Sequence, residues 1–268
     1  MQGVRHFLLA LQFFTRVPVT GRLAAWVGFS PTMLRSAAAH FPGVGWLVAG
    51  VACAVAAVLW HALPVGGQAP LAVAALSTVA TVLLTGGFHE DGLADVADGL
   101  GGSQDRARAL EIMKDSRIGA FGAMALVLGL VTKVALLAVL GTAGLAPLLA
   151  ALLGAHVLSR WLPLLLPTLL PHVGDTARSK SKPLADQVSR GSLLCATLWC
   201  LPALLAVAWW QGPAFSVGAS LAALLAAGWM FRLFRRRLQG FTGDCLGATQ
   251  QVCEIAFYLG AALVLGRT

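Results

Sequence analysis

The stretch Leu84-Thr85-Gly86-Gly87-Phe88-His89-Glu90-Asp91-Gly92-Leu93-Ala94-Asp95-Val96-Ala97-Asp98-Gly99 passes from an apolar run into a string of acids, and its reading decides the fold. Residues 70–88 carry no charge and are close to the roughly 20 apolar residues that a helix needs to cross a bilayer. Beyond them, Asp91, Asp95 and Asp98 follow the spacing i, i+4, i+7. If the helix of the apolar run continues through 90–98, these carboxylates project from one face. The stretch therefore predicts a membrane helix that presents acids where it leaves the bilayer.

The rest of the chain agrees with that solvent. Hydrophobic residues make up 58% of the 268 and charged residues 11%, too little charge for a water-exposed shell. Apolar runs give seven candidate spans, near 43–60, 70–88, 118–140, 145–170, 192–210, 213–231 and 245–266. They are too long and continuous for barrel strands, so the expected fold is an all-α, polytopic membrane bundle of about seven transmembrane helices. No repeat or low-complexity linker divides it, so residues 1–268 read as one domain. The connections alternate in charge. The N-terminal segment and the loops 89–117, 171–191 and 232–243 hold sixteen of the nineteen Lys and Arg, including Arg178, Lys180 and Lys182. The connections around 61–69, 141–144 and 211–212 hold none, so the positive-inside rule puts the N-terminus and the large loops in the cytoplasm. An odd number of crossings then leaves the C-terminus, with Arg267, outside. The same distribution assigns the net charge of +8 to membrane topology rather than to nucleic acid. Phe7 to Phe14 is too short and lacks the cleavage site of a signal peptide, and the five cysteines form no CxxC pair.

Seven of the eleven acids, Glu90, Asp91, Asp95, Asp98, Asp105, Glu111 and Asp115, fall in one loop on the expected cytoplasmic side. Clustered carboxylates repel one another unless a cation lies between them, and a hard ion that takes oxygen ligands, Mg²⁺ by default, suits them. Gly99-Leu100-Gly101-Gly102-Ser103 should break the first helix. A second helix, with Asp105 and Arg106 in its first turns, would place Glu111 and Asp115 at i, i+4 beside Lys114 and Arg117. The expected result is an acidic helical hairpin suited to attack on a phosphoanhydride, with a spare carboxylate as base.

The segment from His89 to Gly99, followed by Leu110-Glu111-Ile112-Met113-Lys114-Asp115-Ser116-Arg117-Ile118-Gly119, closely resembles the cobalamin synthase family, the adenosylcobinamide-GDP ribazoletransferases. Phe14-Thr15-Arg16-Val17-Pro18-Val19, Phe41-Pro42-Gly43-Val44-Gly45 and Thr242-Gly243-Asp244-Cys245-Leu246-Gly247-Ala248 resemble its other motifs, so the likeness runs along essentially the whole chain. The resemblance implies transfer of the phospho-cobinamide part of adenosylcobinamide-GDP to alpha-ribazole or its 5′-phosphate, with release of GMP and a need for Mg²⁺. It also implies a bacterial inner membrane, with the lipid bilayer as surroundings and the site facing the cytoplasm. Assembly into a homo-oligomer is left open. A more distant likeness joins the loop to CDP-alcohol phosphotransferases: Asp95-Val96-Ala97-Asp98-Gly99 fits the first half of their signature. Glu111 to Asp115 fits the second half with Glu for Asp, and Gly102-Ser103 stands where Ala-Arg is expected.

On this reading the metal ligands are Asp91, Asp95, Asp98, Glu111 and Asp115, with Asp115 as ligand or base. The catalytic set is Asp91, Asp95, Asp98 and Asp115, and Arg16, Lys114, Arg117 and Asp244 meet substrate. Asp244 suits a helix N-cap equally well. Lys133, Arg160 and Glu254 fall within or near spans and should pair there, and His89 reads as a satisfied interfacial histidine. A cation transporter, the rival of a different class, would carry its acids near the bilayer midplane rather than in a loop.

Overall fold

The structure, a computed structural model, describes residues 1–64, 67–174 and 188–266; Arg178, Lys180, Lys182 and Arg267 lie outside the described residues. The regular secondary structure of the described residues is helical apart from one isolated parallel bridge between His172 and Phe241. Three short helices, α1 (Gln2–Phe14), α2 (Gly21–Val27) and α3 (Pro31–Ala37), lead through a 3₁₀ turn into α4 (Phe41–Ala62). There follow α5 (Ala69–Thr85), α6 (Phe88–Gly102), α7 (Arg106–Ile112), α8 (Ala120–Thr142), α9 (Leu145–Trp161) and α10 (Leu166–Leu169). The chain closes with α11 (Arg190–Gln211), α12 (Pro213–Arg237) and α13 (Gly243–Leu265).

Six segments are long and apolar enough to cross a membrane: Pro31–Ala62, Ala120–Thr142, Leu145–Leu169, Arg190–Gln211, Pro213–Arg237 and Gly243–Leu265. The seventh expected span is α5, paired with α6 across a 90° bend. The protein is a multi-pass helical membrane protein. The span built on α9 is 78% buried and packs between α4, α11 and α13, whereas that of α8 is 17% buried. Val127, Leu128 and Val131 on α8, like Leu205 and Trp209 on α11, are exposed apolar side chains that suit lipid contact.

The bend corrects one expectation. The acidic helix does not continue out of the second span, because Gly86 and Gly87 both take φ of 70°, a left-handed conformation that glycine adopts without steric cost. They end α5 at Thr85 and turn α6 across the end of the bundle. A second expectation also changes: the glycines after Asp98 do not break α6, which runs to Gly102. A Cβ on Gly99 would collide with the Met113 side chain and lie 2.8 Å from the Ala109 carbonyl oxygen, so this glycine lets α7 lie close against α6. The second acidic helix is also shorter than expected. It stops at Ile112, and Asp115 beyond it accepts the Arg117 amide at 3.1 Å, a local bond that competes with helix continuation.

Two arginines lock the acidic hairpin to the bundle. Arg237 Nη2 donates to the Leu100 and Ser103 carbonyls at the end of α6, and Arg106 Nε donates to the Leu238 carbonyl just after α12. Each satisfies carbonyls that a helix end leaves without intrahelical partners.

Candidate active site

The α6 helix keeps Asp91, Asp95 and Asp98 on one face, as their spacing requires. It crosses the first turns of α13 at two glycines. A Cβ on Gly92 would lie 2.8 Å from the Asp244 carbonyl oxygen and 3.3 Å from Gly247 Cα. One on Gly247 would lie 3.3 Å from the His89 carbonyl oxygen, so the two backbones touch without side chains between them. This crossing brings Asp244 to the acidic face. Its N-cap alternative fails, because Thr242 caps α13 by accepting the Cys245 amide, and Thr242 Oγ1 also donates to Asp244 Oδ2 at 3.1 Å.

The acids of this face differ in their surroundings. Asp91 is exposed, while Asp95 is partly buried. Burial, then the charges of Asp244, Asp91 and Asp98, push the Asp95 carboxyl up to about 7. Asp98 is buried and has backbone partners: Oδ2 accepts the Gly119 amide at 2.7 Å and Oδ1 the Gly122 amide at 2.8 Å. It thus sits on the N-terminal turn of α8, where free amides and the helix dipole favour an anion.

Glu111 and Asp115 line a second, open region with Asp98. A groove of about 680 Å³ runs between α6, α7 and the start of α8, bordered also by Arg108 and Arg117. Each of these acids already has a cation: Arg108 Nη1 lies 2.6 Å from Glu111 Oε2, and Arg117 Nη2 lies 2.6 Å from Asp115 Oδ2. The Arg117 hydrogen bonds hold the Asp115 carboxyl down at about 2. Lys114 is exposed between them. Arg16 lies at the elbow between α5 and α6, where its amide donates to the Leu84 carbonyl and its side chain lies over Gly86.

The sequence pattern of the cobalamin-5-phosphate synthase family matches residues 6–262. The chain belongs to that family. It is 63% identical to the adenosylcobinamide-GDP ribazoletransferase of Polaromonas sp. strain JS666 over 278 aligned positions, covering 98% of each chain. It is 62% identical to the protein of that name from Polaromonas naphthalenivorans, over 99% of this chain and 100% of the relative. A Vibrio cholerae protein of the same name is 43% identical over 94% of this chain and 91% of its own length. No solved structure matches.

Within this family member, the acids offer only oxygen donors, the chemistry a hard divalent ion takes. Asp91, Asp95 and Asp244 form no ion pair among the described residues, and the Asp95 carboxyl is raised first by burial and then by the charges of its acidic neighbours. The donor chemistry fits Mg²⁺. In their present geometry, however, no three His, Cys, Asp or Glu side chains converge on one metal position among the described residues.

A polar seam lies inside the bundle beside this face. Lys133 Nζ of α8 lies 2.6 Å from Glu254 Oε1 of α13, the pairing expected of these two, whereas Arg160 forms no ion pair among the described residues. Tyr258 donates its hydroxyl to Glu254 Oε1 at 3.0 Å, and Arg160 reaches the His156 carbonyl at 2.8 Å and lies over the Phe41 ring. Gln250 and Gln251 belong to the seam and escaped the sequence reading. The signal was present: Gln250, Glu254 and Tyr258 at i, i+4, i+8 mark one polar face within an apolar run. His89 is not the satisfied histidine that the sequence suggests. It is buried and stacked on Phe41, and neither ring nitrogen has a partner among the described residues.

Proposed function

We propose that the chain is an adenosylcobinamide-GDP ribazoletransferase that uses Mg²⁺ at the α6–α13 acidic face, on the cytoplasmic side of a bacterial inner membrane. A ribose hydroxyl of alpha-ribazole, or of its 5′-phosphate, attacks the cobinamide-side phosphorus of the diphosphate. A new P–O bond forms, the bond to the GMP oxygen breaks, and a carboxylate of the acidic face takes the hydroxyl proton. The products are adenosylcobalamin, or its 5′-phosphate, and GMP.

One observation carries this reading. Two acidic family segments, 89–99 and 242–248, lie more than 140 positions apart and meet backbone to backbone at Gly92 and Gly247. Asp91, Asp95 and Asp244 would hold the ion, which supplies positive charge to the diphosphate oxygens when bound. Asp98 would fix α6 on the start of α8 and so orient its neighbours. Arg108 and Arg117 on the groove would meet phosphate oxygens, with Glu111 and Asp115 holding their guanidinium groups in place. Lys114 and Arg16, both exposed near the ends of this region, would add positive charge for the anionic substrates. The groove volume lies within the range of small-molecule sites. The cytoplasmic orientation rests on the basic loops, because Arg106, Arg108, Lys114, Arg117 and the cluster Arg235, Arg236 and Arg237 attend the same end of the bundle.

The test is product formation by purified protein in lipid nanodiscs from adenosylcobinamide-GDP and alpha-ribazole 5′-phosphate, with and without Mg²⁺, beside a CDP-alcohol and its acceptor. Adenosylcobalamin 5′-phosphate and GMP should form only with the metal. Turnover of the CDP-alcohol with none of the corrinoid would replace this reading with a phosphatidyltransferase.

A further inference from the structure

We infer that Gln251 is a positioning residue for the acidic face: it holds Glu90, and with it the first turn of α6, against a hydrogen-bonded array anchored inside the bundle. The inference rests on the reading of that face as the metal and phosphoryl-transfer site.

Glu90 immediately precedes Asp91 and is buried, with 9% of its surface exposed. Its Oε1 accepts the Gln251 side-chain amide at 3.0 Å, and its Oε2 has no partner among the described residues. The Gln251 amide is therefore the one side-chain tether of Glu90 among those residues. The same amide donates to Gln250 Oε1 at 2.9 Å. Gln250 Nε2 in turn donates to Glu254 Oε2 at 2.7 Å and Ser159 Oγ at 2.9 Å. At the far end Glu254 is held by Lys133 and Tyr258. One continuous array thus joins α6 to α8, α9 and α13.

Its chemistry argues for a positional role. Buried polar groups in a membrane bundle are costly, and Gln250, Gln251, Glu254, Lys133 and Ser159 are each at most 3% exposed. Mere cohesion of the bundle would be served by apolar packing, as in the cluster around Leu148, Leu152 and Phe257. A hydrogen bond fixes direction as well as distance. Gln251 lies on α13 within two turns of Asp244, so the helix that carries one proposed ligand also holds the residue preceding another. Partners that orient metal ligands from behind act in this way.

The test uses the full chain in nanodiscs and two variants, Gln251→Met and Gln250→Met, which remove the amides while keeping side-chain volume. Mn²⁺ alone, followed by its paramagnetic resonance signal, serves as the metal probe. Gln251→Met should weaken Mn²⁺ binding and lower kcat by about 10-fold or more, the usual effect of removing such a partner, with KM for both substrates near the wild-type value. Gln250→Met should show the same pattern more weakly. Wild-type Mn²⁺ affinity and kcat in folded Gln251→Met would overturn the role. Failure of both variants to give folded protein would assign the array to bundle assembly and overturn it equally. Wild-type protein that binds no Mn²⁺ and forms no product would instead count against the proposed function.

Discussion

Gly92 of α6 and Gly247 of α13 meet with no side chain between them, and a Cβ at Gly92 would reach within 3.3 Å of Gly247 Cα. The contact sets how near Asp244 can come to Asp91 and Asp95. Gly92→Ala must push the helices apart, because the obstructing atoms are backbone and cannot rotate away. Overpacking of this kind costs about 1–3 kcal/mol. A misplacement of about 1 Å at a reacting centre can lower turnover about 100-fold, and the smaller shift that relieves these contacts should lower it by less than that. Thermal unfolding and kcat of the variant in nanodiscs check both effects, and a loss of kcat beside a modest loss of stability is expected.

Asp98 should prove structural where Asp91 does not. Asp98→Asn replaces one acceptor oxygen with an amide that faces the Gly119 or Gly122 N–H, leaving a buried donor unpaired at a cost of about 1–3 kcal/mol. Asp91→Asn, at an exposed position, should change stability by no more than about 0.5 kcal/mol while lowering turnover. Unfolding midpoints of the two variants, measured side by side, separate the roles.

The pH dependence of the metal-free protein follows from Asp95. Its folded carboxyl, raised to about 7 from an ordinary 3.8, keeps a proton that the unfolded chain has lost. Stability therefore falls as pH rises from about 4 to about 7, since the folded state binds more protons in that window. Asp95→Asn should flatten this part of the profile relative to wild type, and adding Mg²⁺ at pH 7 should stabilise wild type more than the variant. Midpoints of thermal unfolding across this pH range, with and without metal, test both effects.

In the interior, Lys133→Met leaves Glu254 without its ammonium partner, and breaking a buried pair from one side typically costs about 3–5 kcal/mol. The double variant Lys133→Met, Glu254→Gln removes both charges and keeps an acceptor for Tyr258, so it should recover part of that loss. A double-mutant cycle on unfolding free energy measures the recovery.

Much of this was legible in the sequence for definite reasons. Each of the six spanning segments lies on a continuous apolar run, as does α5, and lipid requires a spanning backbone to be helical, so the bundle follows from hydropathy alone. The shared face of Asp91, Asp95 and Asp98 follows from helical periodicity. The turn at Gly86 and Gly87 was not legible, because two adjacent glycines allow either a bend or a helix and tertiary packing chooses. The glycines from Gly99 onward have the composition of a helix breaker, yet they serve close approach to α7 and α8. The meeting of Asp244 with the acidic face depends on a contact between segments more than 140 positions apart, which no local pattern encodes.

The central claim is that the α6 acids and Asp244 form one metal-dependent site, and turnover of Asp244→Asn measures it most directly. Assayed with adenosylcobinamide-GDP, alpha-ribazole 5′-phosphate and a titration of Mg²⁺, this variant should fold as wild type does, need more metal for half-maximal rate and lose about 100-fold or more in kcat, as removal of a catalytic electrostatic group typically does. Wild-type kcat at wild-type Mg²⁺ requirement would place Asp244 outside the chemistry and contradict the account.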